Sequence, residues 1–152
     1  MIVFRLSKAA YADDLSGRGA ELTGGRWNSK GTAMVFTSES RALCAVEIAV
    51  HIPLGILPLD YLLITIEIPD RIRYDEVSPE DLPDGWNSMP YGTLTRKTGD
   101  NFVKEMKSAV MKVPSAVIPG EFNFLVNPKH PDSSLITIRS TQPFKFDSRL
   151  FL

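Results

Sequence analysis

Cysteine and histidine are both scarce in this chain of 152 residues. Cys44 is the only cysteine, so no disulfide can form within the chain, and a zinc site built on several cysteines is excluded. The two histidines, His51 and His130, are not accompanied by a spaced cluster of acidic residues, which leaves little support for a catalytic metal. We therefore expect no metal and no resident cofactor.

The sequence also lacks an excess of one charge and any long apolar run. Seventeen basic residues against eighteen acidic ones give a net charge of −1, whereas a nucleic-acid-binding domain shows a basic excess or patch. The longest apolar stretches are interrupted by Glu47 and His51 or by Pro53 and Pro58, so none is expected to span a bilayer. The first residues read as a strand and not as a signal peptide. These features predict a cytoplasmic chain that binds neither nucleic acid nor membrane.

What the sequence does contain is typical of one folded domain. Its length is common for a single domain, and 43% hydrophobic residues are enough to build a core. It has no internal repeat, no low-complexity tract and no linker. We therefore expect residues 1–152 to form a single domain.

An apolar helix is predicted in the first third of the chain. A short strand at 33–36 leads into Thr37-Ser38, which is a natural N-cap, and Pro53 should end the helix. These signals place the helix from about Glu39 to about Ile52. Since most of its circumference is apolar, we expect it to be mostly buried.

Glu47 stands in the middle of this predicted helix. A carboxylate buried among apolar residues is costly unless it has a partner or serves a functional site. His51 follows four residues later and so lies on the same helix face. From the pattern alone, Glu47 is a functional carboxylate, the partner of His51 or of a structural arginine, or a residue on a helix face that is wetter than the pattern suggests.

The remaining patterns predict several strands, two loops and a second helix. A glycine-rich loop covers 12–32, a proline- and glycine-punctuated loop covers 78–96, and the second helix spans about Gly99 to Met111. The other predicted strands are 2–6, 61–68, 115–118, 121–126, 134–139 and 143–147, the last two being an antiparallel pair. This order favours an α+β domain with mainly antiparallel sheet. The glycine motifs of Rossmann and P-loop enzymes are absent.

Three further segments carry residues suited to chemistry. In Gly24-Gly25-Arg26-Trp27-Asn28, two glycines allow a close approach of the backbone, and Arg26 offers a planar cation to a phosphate or carboxylate. Ser115 opens a predicted strand but lies outside a Gly-x-Ser-x-Gly elbow, so a hydrolase-type nucleophile is not indicated. Residues 127–131 form a proline-rich turn. Each segment taken alone also fits a purely structural role.

Taken in chain order, these residues resemble the RES family, which is named for its arginine, glutamate and serine. The matching residues are Arg26, Glu47 and Ser115. Supporting matches are Phe4-Arg5-Leu6, 17–20, 36–40, Asn127-Pro128 and 146–150. The resemblance runs from about residue 3 to the C-terminus, and the order and spacing of the segments together make it specific.

The resemblance implies an ADP-ribosyltransferase-like fold, in which a pair of antiparallel sheets surrounds a cleft that holds NAD⁺. It also implies a toxin that arrests growth by breaking the nicotinamide–ribose bond of NAD⁺ with water or inorganic phosphate. NAD⁺ is then a substrate and phosphate a co-substrate. The implied partner is a small Xre-type antitoxin that blocks the site.

Site roles follow from the same resemblance. Cleavage of the N-glycosidic bond builds positive charge on the ribose, and Glu47 would stabilise it. Arg26 and Arg5 would bind the pyrophosphate, and Ser115 would bond to the ribose or the nicotinamide amide. The other expected NAD⁺ contacts are Trp27, Asn28, Phe36, His51 and Asn127.

Two positions and two alternative functions stay open at the level of sequence. Many RES members have a tyrosine where this chain has Phe36, which can stack on nicotinamide but has no hydroxyl to donate. His51 either orients Glu47 or substrate, or packs as an ordinary helix residue. The same residues also fit a mono-ADP-ribosyltransferase that modifies a protein, or a non-catalytic module that binds NAD⁺.

Overall fold

Seven strands and three helices make up the fold in a computed structural model, which describes residues 1–152. The strands are β1 (Ile2–Lys8), β2 (Val35–Ser38), β3 (Tyr61–Glu67), β4 (Tyr74–Glu76), β5 (Val110–Pro114), β6 (Phe122–Val126) and β7 (Thr137–Phe144). The helices are α1 (Arg18–Thr23), α2 (Arg41–Ala49) and α3 (Thr93–Glu105). None of these helices has the length and apolar character needed to cross a membrane.

The strands form one sheet in the order β4-β5-β6-β2-β1-β3-β7, in which only β4 and β5 are parallel neighbours. β1 and β3 pair along their full lengths, but β1 and β2 are joined only where Phe4 lies opposite Ser38. The sheet is thus two mainly antiparallel halves that meet at a single residue pair. The predicted α+β class with mainly antiparallel, split sheet is confirmed.

Side chains alternate between the two faces of each strand, and the two faces are packed differently. One face buries a continuous apolar cluster that includes Val35, Ile64 and Val126. The other face carries two separate clusters, one that includes Phe102 of α3 and one that includes Cys44 of α2. The site described below lies on this second face, between the two clusters.

α2 begins later and is less buried than predicted. Thr37-Ser38 belong to β2, where they pair with β6, so the N-cap is Ser40, whose Oγ accepts a hydrogen bond from the Leu43 backbone N–H at 3.0 Å. The predicted N-cap was wrong because Thr37 and Ser38 pair with β6 as strand residues. The prediction of a mostly buried helix was also wrong, since only Leu43 and Cys44 are fully buried.

α3 lies about six residues earlier than predicted, and Gly99 is in its interior instead of at its start. The helix was predicted from apolar residues between Phe102 and Val110 that would share one helix face, but Val110 belongs to β5 in the structure. Glycine normally disfavours a helix interior. In the structure a Cβ on Gly99 would lie 1.6 Å from the Trp27 carbonyl oxygen. The glycine is therefore needed for close packing of α3 on the Trp27 segment.

The predicted C-terminal pair of strands is a single strand. Residues 134–139 and 143–147 do not pair with each other; β7 runs through Pro143 and pairs with β3. Proline is tolerated there because β7 is an edge strand. The predicted strand at 115–118 was also wrong, because Ser115 follows the end of β5. The short elements α1 and β4 were missed.

Candidate functional site

The side chain of Glu47 is held by two hydrogen bonds to the same oxygen. Ser115 Oγ and Asn123 Nδ2 each donate to Glu47 Oε1, both at 2.7 Å. No protein group donates to Oε2. The carboxylate is therefore fixed through one oxygen, and the other oxygen is left without a protein partner.

Ser115 can direct its proton only toward Glu47. Its Oγ accepts hydrogen bonds from the backbone N–H groups of Val117 and Ile118, at 3.1 and 3.0 Å. A hydroxyl has one proton to donate, and here it goes to the carboxylate. The Ser115 side chain is buried and has two roles. It stabilises the turn after β5 and it orients Glu47.

Asn123 is oriented by a further hydrogen bond from β2. Ser38 and Asn123 lie opposite each other across β2 and β6, and Ser38 Oγ donates to Asn123 Oδ1 at 2.7 Å. This contact leaves Nδ2 to donate to Glu47. Sequence reasoning missed Asn123; its only signal was a lone amide between two phenylalanines in an otherwise apolar strand.

Arg26 is bound by backbone carbonyls and not by a carboxylate. Its guanidinium donates to the carbonyl oxygens of residues 86–88 at 2.9–3.4 Å, and it lies over the Tyr91 ring at 4.9 Å. Burial lowers the pKa of Arg26, while the charges of Tyr91 and Glu47 oppose that shift. Arginine stays protonated in proteins. Arg26 is therefore a positive charge that no salt bridge neutralises, and it interacts with Glu47 through space.

Three residues expected to contact NAD⁺ are part of the scaffold. Trp27 is buried in the cluster with Phe102, with its ring centroid 6.2 Å from that of Trp86. Asn28 is fully buried, and its Nδ2 donates to the carbonyl oxygens of residues 20, 29 and 32. Asn127 is fully buried and its Nδ2 donates to the Val103 carbonyl near the end of α3.

Arg5 and His51 are not brought to Glu47. Arg5 donates to the Asp14 carbonyl oxygen at 2.7 Å, and strand alternation places it on the face of β1 opposite to Leu6, which packs with α2. Burial lowers the pKa of Arg5, against the opposing effect of the Asp14 charge. His51 is exposed beyond the end of α2.

Two other side chains near the site are apolar in character. Phe36 is half-buried and faces the Gly25 α-carbon, since a Cβ built there would lie 3.9 Å from Phe36 Cζ. Burial raises the pKa of the Cys44 thiol to about 12. Because the thiolate is the nucleophilic form, Cys44 supplies no nucleophile near neutral pH.

A protein family and several named proteins are similar to this chain over most of its length. The RES domain family matches residues 2–147. The chain is 41% identical over 141 residues to a protein named Prs ADP-ribosylating toxin from Sphingobium sp. (strain YBL2), covering 91% of this chain and 88% of that protein. It is 34% identical over 152 residues to Toxin Res of Photorhabdus laumondii, covering 99% and 97%.

A similar relationship holds for a second Toxin Res and for a solved structure. Toxin Res of Pseudomonas putida (strain KT2440) is 35% identical over 153 residues, covering 99% of this chain and all of that protein (100%). Among solved structures, the chain is similar to one in the M. tuberculosis MbcT–MbcA toxin–antitoxin complex, with a TM-score of 0.76 and 20% identity. That similarity covers 99% of this chain and 86% of the other, and at this identity it concerns the fold alone.

Proposed function

The chain belongs to the RES family, and from this membership and the geometry around Glu47 we propose that it is a toxin that cleaves the nicotinamide–ribose bond of NAD⁺. The observation that carries the proposal is the Glu47 carboxylate, held through Oε1 by Ser115 and Asn123 with Oε2 unpartnered. A fixed carboxylate of this kind suits a reaction in which positive charge develops on a sugar.

The chemical step follows from that arrangement. The bond between ribose C1′ and the nicotinamide nitrogen breaks, its electron pair leaves with neutral nicotinamide, and positive charge spreads over the ribose. Glu47 Oε2 faces this charge and accepts a proton from the attacking water, whose oxygen forms the new bond to C1′. With inorganic phosphate as the acceptor, a phosphate oxygen forms that bond instead.

Arg26 and Phe36 have supporting roles in this proposal. Arg26 carries a positive charge with no carboxylate partner and can pair with a phosphate oxygen of NAD⁺. Phe36 offers a half-exposed ring on which the nicotinamide can stack. Because a phenyl ring has no hydroxyl, the reaction in this chain proceeds without a donor at position 36.

The direct test is nicotinamide release by the purified chain without any partner protein. NAD⁺ labelled in its adenylate half is incubated with the chain, with and without inorganic phosphate, and the products are separated by chromatography. Label in free ADP-ribose identifies hydrolysis, and label in ADP-ribose phosphate identifies phosphorolysis. A folded, partner-free chain that leaves NAD⁺ intact under both conditions contradicts the proposal.

Transfer of ADP-ribose to a protein is the second candidate, and the relative from Sphingobium favours it, since that protein is named an ADP-ribosylating toxin at 41% identity. The bond broken is the same, but the acceptor is a side chain of a target protein. In the assay above, repeated in a cell extract, label that stays with protein after denaturation supports this candidate over degradation.

We further propose that an antitoxin of the Xre type holds this chain inactive. The support is that the similar solved structure is of a toxin–antitoxin complex. Co-expression with the product of the adjacent gene should give a complex that releases no nicotinamide until the partner is removed. A partner that co-purifies but leaves nicotinamide release unchanged would contradict this role.

Replacing Ser115 by alanine should affect both activity and stability. The change removes the donor to Glu47 and the acceptor for two backbone N–H groups, so we expect activity to fall at least tenfold and the free energy of unfolding to fall by about 1–2 kcal/mol. Nicotinamide release and urea denaturation measure the two effects. Ser134→Ala, which removes only an exposed hydrogen bond to a carbonyl, is the matched control. Equal activity in the two variants would show that Ser115 does not orient the carboxylate.

A further inference from the structure

A polar cavity of about 380 Å³ opens beside the Gly24-Gly25 turn. It lies between this turn and the segment that leads into α3, and its lining includes Asn28, Lys30, Tyr91 and Arg96. A cavity of this size is in the range of roughly 300–1,000 Å³ that small-molecule sites occupy. A further cavity, of about 40 Å³ on the opposite face of the sheet, is too small for a nucleotide.

The two cations in this cavity are not neutralised by a salt bridge. Lys30 and Arg96 both line it, and neither forms an ion pair or a hydrogen bond with a protein group, while no carboxylate is part of the lining. Asp100 is an acid close to the lining, and its oxygens accept from the Ser29 backbone N–H at 2.9 Å and from Ser29 Oγ at 2.6 Å. Asp100 offsets part of the Arg96 charge through space, and the cavity keeps a positive surplus.

The Asp100 carboxylate is hydrogen-bonded to Ser29 and is not available to the cations of the cavity. Desolvation raises the pKa of Asp100, but hydrogen bonds from Ser29 and Thr32 and the charge of Arg96 together lower the pKa below its usual value. The carboxylate is therefore ionised and held at the rim of the cavity by Ser29. It does not turn inward to pair with Lys30 or Arg96.

Asn28 belongs to the wall of the cavity and is not one of its binding groups. It is fully buried, its Nδ2 donates to three carbonyl oxygens, and its Oδ1 has neither a hydrogen-bond partner nor surface that a ligand atom could reach. Recognition of a ligand therefore depends on the cations Lys30 and Arg96, which suit a phosphate.

The cavity adjoins the surroundings of Arg26 and Phe36 through two of its lining residues. Tyr91 lines the cavity and contacts the Arg26 guanidinium, while Gly25 lines it and faces Phe36. A dinucleotide with its nicotinamide ribose at Glu47 would extend past Arg26 into this space. Arg5, the other cation expected from the sequence, lies on the opposite face of the sheet.

We infer that this cavity binds phosphate groups through Lys30 and Arg96. The inference rests on the proposed function, since the pyrophosphate of NAD⁺ is the first source of such groups. Free inorganic phosphate, the co-substrate in phosphorolysis, is the second source. Both share the chemistry of a phosphate anion bound by unpaired cations.

The experiment measures binding to the purified chain by calorimetry, with ADP-ribose, inorganic phosphate and adenosine as separate probes. The variants are Lys30→Gln and Arg96→Gln, singly and together. Lys97→Gln is the matched control, because Lys97 is an exposed cation one residue further along α3 and does not line the cavity. Thermal melting checks that every variant is folded.

For ADP-ribose we expect the dissociation constant to rise about tenfold in each single variant and further in the double variant, as for loss of a charge-assisted contact. Adenosine binding and the Lys97→Gln chain should be unchanged. An effect on inorganic phosphate alone would assign the cavity to the free anion. Unchanged binding of both anions in the double variant, or equal loss in Lys97→Gln, overturns the inference.

The outcome for the cavity can be separated from the outcome for catalysis. ADP-ribose binding is measured without turnover, so it stands even if the chain proves not to cleave NAD⁺. Where cleavage is observed, nicotinamide riboside serves as a substrate without phosphate. The double variant should then lower kcat/KM for NAD⁺ and leave kcat/KM for nicotinamide riboside unchanged.

Discussion

Replacing Glu47 by glutamine should lower the rate of nicotinamide release by about a thousandfold. Glutamine keeps the size of the side chain, and its carbonyl oxygen can still accept from Ser115 and Asn123, as Glu47 Oε1 does. What is lost is the negative charge that faces the developing positive charge on the ribose. The loss should therefore appear in kcat, while the affinity for NAD⁺ changes little.

The control for this variant is Glu67→Gln. Glu67 lies at the end of β3 in an exposed ion pair with Arg139, so its neutralisation removes the same charge away from the site. We expect activity near that of the unchanged chain, because exposed ion pairs contribute little to stability. If Glu47→Gln, folded by thermal melting, retains more than about a tenth of the activity, Glu47 is not the stabilising carboxylate.

The second large effect is expected for Gly99→Ala, which should lower the free energy of unfolding by about 3 kcal/mol. Helix propensity alone would give the opposite sign, since alanine in a helix interior is favoured over glycine by about 1 kcal/mol. The added Cβ, however, would lie 1.6 Å from the Trp27 carbonyl oxygen, so the helix or the segment must move. A loss of about 3 kcal/mol is a large part of the roughly 5–15 kcal/mol typical of a domain.

Gly19→Ala provides the matched control for this prediction. Gly19 is also in a helix, α1, but no atom lies within 4 Å of a Cβ built on it. We expect Gly19→Ala to be neutral or to stabilise by up to about 1 kcal/mol. Urea denaturation of both variants measures the difference, and similar values for the two would show that α3 does not depend on close contact with Trp27.

Gly99→Ala should also affect the site, because its steric conflict is with the backbone next to Arg26. Displacement of the Trp27 carbonyl moves the segment that holds Arg26 under residues 86–88. We expect nicotinamide release to fall even at temperatures where the variant is folded. Gly99 lies inside α3 although glycine disfavours a helix interior, which shows how tertiary packing can override a local propensity.

Other errors of the sequence analysis have the same origin. The sequence predicted separate strands at 134–139 and 143–147, but an edge position in the sheet tolerates Pro143, and β7 passes through it. Thr37-Ser38 have the composition of an N-cap, but pairing with β6 places them in a strand. In each case the local signal is real, and a partner distant in the chain decides the outcome.

The candidate site was predictable only in part. Glu47 stood out because a carboxylate in an apolar helix calls for an explanation, and Arg26 and Ser115 were found through the resemblance to the RES family. Asn123 could not be identified, since its importance comes from contacts with Glu47 and Ser38, which are 76 and 85 residues away along the chain. Lys30 and Arg96 are ordinary surface cations until the cavity between them is seen.

The sequence by itself determined the family, the α+β class and the acid on which the proposed chemistry depends. Periodicity and motif order can be identified from the amino-acid sequence without knowledge of the tertiary structure. Only the tertiary structure decided which polar groups meet: Asn123 joins Ser115 on one carboxylate oxygen, while Arg5 lies on the other face of the sheet. The physical reason is that strand order and register set these contacts, and hydrogen bonds between distant segments leave no periodic signal in the sequence.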